Sequence, residues 1–155
     1  MAKDILAMSN IQDGGVLLIG IEDNTFVRQG VSEAQRITFD FDTMRDQMAR
    51  YADPHVDFRV SYPTDEGGLR FVAIEVSQFA EVPVICRSDG PDLRAGVVYY
   101  RNRNRRWESA PISNSFDMRE LLDLAAALRM QKLQRVGLVA QAPADVRFDE
   151  ELEGL

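Results

Sequence analysis

Arg101, Asn102, Arg103, Asn104, Arg105, Arg106 and Trp107 follow one another without an acid among them. Guanidinium forks grip phosphate oxygens two at a time, and an indole offers a face on which a base can stack. The intervening asparagines favour a turn and add donors for phosphate or base edges. Widened to residues 94–106, the segment holds five arginines and still no acid. This density points to nucleic acid, with Arg94, Arg101, Arg103, Arg105, Arg106 and Trp107 as the contact set. The alternative is a strand end whose arginines pair with acids elsewhere while Trp107 caps the core.

A second set of residues could do different chemistry. Glu22 and Asp23 leave an apolar run, and Glu75 lies in another strand-like segment. Carboxylates of this kind hold a divalent cation when enough of them converge. An ordinary turn closed by Asp23 and Asn24 accounts for the first two equally well. Asp13-Gly14-Gly15 is neither a Walker loop, which ends in Gly-Lys-Ser/Thr, nor a dinucleotide loop, which follows a strand. It reads as a helix-to-strand turn in which glycine permits close packing, with Gly15 expected to need positive φ or close approach. His55 stands beside no nucleophile that spacing can tie to it. Cys86 has an arginine neighbour that could lower its pKa, but its apolar surroundings suit simple burial.

The elements that must position these residues belong to one domain. The 155 residues are 45% hydrophobic, enough for a core that needs no staple. One cysteine and one histidine allow neither an internal disulfide nor a structural zinc site. No apolar run reaches the length of a membrane span and no signal-peptide core opens the chain, so a cytoplasmic protein with no membrane partner is expected. The formal charge of −7 opposes a polyanionic partner at long range. Its distribution does not: residues 143–155 carry five acids against Arg147, which leaves −3 for the rest. Residues 1–140 are expected to form the domain and residues 141–155 an acidic tail.

Residues 3–8 are apolar on both faces and predict a short buried helix. Val16 to Ile21 is a continuous apolar run of strand length, expected to be the central strand. Met44, Met48 and Tyr51 line one face of a helix that Asp42 is placed to cap and that Pro54 stops. Alternation over 56–62, then Asp65-Glu66-Gly67-Gly68, then Leu69 to Val76 predicts an antiparallel hairpin. Val97 to Tyr100 is a further strand. Ser115 begins a last helix that runs to about Arg135 and presents Leu121, Leu124, Ala125 and Leu128 on one side. The fold class is α+β, a single small domain with a mixed, largely antiparallel sheet and about three helices.

Ala7-Met8-Ser9-Asn10, followed by Gly14 to Asp23, resembles the opening of the AlbA-like domain of Schlafen proteins and of prokaryotic regulators labelled DNA-binding or "divergent AAA". Val98-Tyr99-Tyr100-Arg101, Ala110 and Met118 to Leu122 are similar to the closing strand, arginine and helix of that family. The resemblance covers about residues 3–125 and implies a nucleic-acid-binding module, DNA or RNA, with a role in transcription regulation. It also implies an alternative, a divalent-metal-dependent endoribonuclease of Schlafen type. That family's metal site draws two glutamates from an opening strand and an aspartate after the glycine strand. Only the last has a match, at Glu22 or Asp23, so the carboxylate site would be incomplete or shared between subunits. The missing strand leaves an edge that predicts a homodimer. No cofactor and no small-molecule substrate is expected, and a protein-interaction module built on the last helix is a further alternative.

Overall fold

The computed structural model describes residues 1–102 and 108–138. The chain opens with α1 (Ala2–Ser9), in which Ile5, Leu6, Ala7, Met8 and Ser9 are all buried. A helix apolar all round must be enclosed on every side. It packs against three of the strands given below, which makes it the centre of the core rather than a cover on it.

β1 (Gly15–Ile19), β3 (Phe58–Ser61) and β4 (Val72–Val76) make an antiparallel sheet in the order β1-β4-β3. The register sets Leu17 beside Ile74 and Ile74 beside Val60 on the inner face. Val16, Glu75 and Arg59 form the matching row on the outer face. The central strand is therefore β4, not the apolar run at Val16. Val16 and Leu18 are 59% and 47% exposed. A short apolar run has no period, so an edge strand with apolar residues on both faces reads like a buried one.

The hairpin between β3 and β4 closes as expected. The Gly68 N–H donates to the Asp65 carbonyl at 3.0 Å, the Asp65 carboxylate accepts from Leu69 N–H at 2.9 Å, and Gly68 takes φ +84°. Two shorter antiparallel pairs complete the strands: β2 (Ala52–Asp53) with β5 (Ile85–Cys86), and β6 (Tyr99–Arg101) with β7 (Ser109–Pro111). β4, β6 and β7 are the strands that α1 touches.

Three further helices bring the number among the described residues to four, one more than the sequence predicts. α2 (Glu33–Thr38) is the addition, started by a reciprocal capping box between Ser32 and Gln35. α3 (Phe41–Met48) buries Met44 and Met48 as expected, but Asp40 caps it, accepting from Thr43 N–H at 3.4 Å. Asp42 lies inside the first turn instead, where its charge still suits the helix dipole. α4 (Ser115–Arg135) is capped by Asn114 and lays Leu121, Leu124, Ala125 and Leu128 toward the core. No described helix is long and apolar enough to cross a membrane.

Candidate functional site

The turn from α1 to β1 is built for packing. Positive φ falls on Asp13 (63°) and Gly14 (64°), not on Gly15. A Cβ on Gly14 would lie 1.9 Å from the Val76 carbonyl oxygen, and one on Gly15 would lie 2.9 Å from Met8 Sδ. Close approach is thus the reason for Gly15, while Gly14 needs both its conformation and the space. Asn10, wholly buried, donates from Nδ2 to the carbonyls of Val84 (2.8 Å) and Tyr99 (2.9 Å) and accepts at Oδ1 from Val84 N–H (2.8 Å). One amide thereby joins α1 to the chain entering β5 and to β6.

β6 leads from this rivet to the arginines. Tyr99 and Tyr100 are buried and Arg101 is half-buried at the strand's end. The Tyr99 hydroxyl accepts from Arg94 N–H at 2.9 Å, which fixes the backbone of exposed Arg94 against the strand that carries Arg101. Neither arginine makes an ion pair within the described residues. Arg103, Arg105, Arg106 and Trp107 lie outside the described residues, in the stretch of sequence that joins β6 to β7.

Both feet of that connection are tied down. The Asn102 side chain donates to the Asp117 carboxylate, which is 8% exposed and also accepts from Asn114 Nδ2 at 2.6 Å. At the other foot Ser109 Oγ donates to Asp4 on α1 at 2.7 Å. Burial pushes the Asp4 carboxyl up, but the Ser109 hydroxyl, the N-terminal ammonium and the charge of Arg101 outweigh it and hold the group below the usual range.

A cleft of about 650 Å³ opens beside Arg101. The turn at Gln12 and Asp13 forms one side, Gln78 and β6 another, and the α4 residues Glu120, Asp123, Leu124, Ala127, Leu128 and Gln131 the third. The Tyr100 hydroxyl donates to Glu120 at 2.8 Å and so fixes one carboxylate on the wall. Nothing in the sequence singles out this cleft, because its sides come from segments far apart in the chain.

The carboxylates do not converge. Glu22 accepts from the Thr25 hydroxyl, and its N–H and carbonyl bond Val27 and Phe26 across a tight turn, with Asp23 inside it. Glu75 sits on the outer sheet face opposite Val16, at the other end of β1. Among the described residues no group of three or more His, Cys, Asp or Glu side chains could hold a metal ion. Within one chain, the described residues therefore do not bring Glu22, Asp23 and Glu75 together as a divalent-metal site. His55 is exposed and lies 3.5 Å from Asp57. Burial pushes the Cys86 thiol up, against the lowering its arginine neighbour suggests, and its Sγ donates to the Ser88 carbonyl at 3.3 Å.

A family model described as "Schlafen, AlbA_2" matches residues 1–108. Among solved structures, the crystal structure of the DIP2311 protein from Corynebacterium diphtheriae is similar in fold, with a TM-score of 0.50 and 24% identity. The similarity covers 77% of this chain but 18% of that one. No curated protein matches.

Proposed function

This chain belongs to the Schlafen, AlbA_2 family, and on that premise we propose that it binds nucleic acid through the arginines of β6 and its connection to β7. Membership supports a nucleic-acid-related function at the level of the family. The observation that carries the finer reading is Arg101. It stands at the end of a strand stapled into the core, beside an acid-free run of arginines, and makes no ion pair within the described residues. A cation on a rigid support loses little freedom when it meets a phosphate. Arg94, held against the same strand through Tyr99, extends the contact set.

Arginine contacts release condensed counterions, so log K should fall linearly with log salt, by roughly 0.9 for each phosphate contacted on duplex. Anisotropy titrations of a labelled duplex and a labelled single strand at two salt concentrations test this. Binding that ignores salt, or no binding at low salt, would sink it.

A second reading, a homodimer, is favoured by apolar side chains left in solvent. Met118, Leu122 and Met130 are exposed on α4, and Val16 and Leu18 on the free edge strand β1. Sedimentation as a monomer at high micromolar concentration would remove it.

A further inference from the structure

The cleft beside Arg101 is divided by chemistry. Arg101 lines its β6 side; three acids line it elsewhere, Asp13 on the turn after α1 and Glu120 and Asp123 on α4, with Leu124, Ala127 and Leu128 adding apolar surface. The Asp123 side chain makes no ion pair or hydrogen bond within the described residues, so its acceptor capacity is open. Phosphate is repelled from the carboxylate wall and attracted to the arginine. A ligand that fits both must carry an anion at one end and hydrogen-bond donors on a flat, partly apolar body at the other. The volume lies within the roughly 300–1,000 Å³ of small-ligand sites, so one nucleotide unit can enter.

We infer that the cleft seats a single unstacked base of a nucleic-acid strand, with the adjoining phosphate on Arg101. The inference rests on the nucleic-acid reading of the arginines and names what that site selects. Carboxylates accept hydrogen bonds and never donate at neutral pH. They suit bases with exocyclic amines: adenine through N6, cytosine through N4 and guanine through N2. Thymine and uracil offer only the N3–H, flanked by two carbonyl oxygens that face the carboxylates unfavourably, and are disfavoured. A base held in a duplex stack cannot reach a cleft of this kind without being extruded, which costs unstacking and unpairing energy. The site therefore reads single strands, where base edges are free.

The test is anisotropy with the full chain and labelled oligo(dC), oligo(dT) and a duplex of equal length at one low salt concentration. Wild type is expected to bind oligo(dC) about tenfold more tightly than oligo(dT), the size of one good base contact. Ala127→Phe fills the cleft from an exposed helix position and should abolish that preference. Asp123→Asn, which replaces an acceptor by a mixed donor and acceptor, should reduce it several-fold. Equal wild-type affinity for oligo(dC) and oligo(dT), with salt-dependent binding retained, overturns the base site and spares the arginine reading. Absence of binding to all three overturns both. Preference persisting in Ala127→Phe with an unchanged melting temperature places the discrimination elsewhere and also overturns the inference.

Discussion

The turn at Asn10 to Gly15 and the β6 strand at Tyr99 to Arg101 lie at two ends of one hydrogen-bonded path, yet they are made for opposite purposes. In the turn both polar atoms of the Asn10 side chain are spent on backbone and the space beside Gly14 is already taken by Val76. At Arg101 the side chain is half-buried, and no described acid pairs with it. The contrast separates two reasons for a motif. The double glycine resembles a ligand-cradling loop but serves packing, while Arg101, at the end of a strand held in the core, makes no ion pair within the described residues.

The sharpest way to break the comparison is Gly14→Val. A β-branched residue at φ +64° with its Cβ 1.9 Å from a carbonyl oxygen forces the α1-to-β1 turn apart. A loss of about 4 kcal/mol or failure to fold is expected, read by chemical denaturation. Survival within about 1 kcal/mol would mean the turn relaxes freely.

Asn10→Leu comes next. It strands the Val84 N–H and two buried carbonyls, at a cost of roughly 1–3 kcal/mol for the group left unsatisfied, so about 3 kcal/mol in all is expected. If the variant melts like wild type, the amide is not the rivet described.

Arg94→Ala with Arg101→Ala should do the reverse: stability within about 0.5 kcal/mol of wild type, but duplex affinity lower and the salt slope smaller by roughly two contacts. A large stability loss would return Arg101 to the structural side of the comparison.

The smallest effect is at Asp4. Its folded carboxyl is held below the ordinary value of 3.8, so its contribution is present above that pH and is lost as pH falls through the folded value. Between the two the unfolded chain binds more protons, and stability must rise with pH. Ser109→Ala should shallow that acid limb in pH-dependent denaturation; an unchanged limb would remove the Ser109 contact from it.

Much of this was readable in the sequence where a local pattern was complete. The Ser115 start and the apolar side of α4, and the Asp65 to Gly68 hairpin, each carry period or turn residues within a few positions; the Asn114 cap emerged only in the structure. α2 carried only its Ser32-x-x-Gln35 box, because a six-residue helix that buries nothing shows no apolar face. The place of β1 at an edge was not readable, since Val16 and Leu18 are apolar and exposed. Arg101 stood out by composition. The cleft did not, because residues 10–13, 78, 100–101 and 120–131 meet only in the folded chain.

The Asn10 amide also sets how the molecule opens. Val84 N–H gives its hydrogen to a side chain anchored in α1, so it cannot exchange with solvent unless α1 leaves the core. Its protection against deuterium should equal that of the global transition, although the strand it precedes is two residues long. Amides in the last turns of α4, with exposed side chains on most sides, should exchange through local fraying many times faster. A single buried amide thus makes short strands, which alone would open independently, part of one cooperative unit.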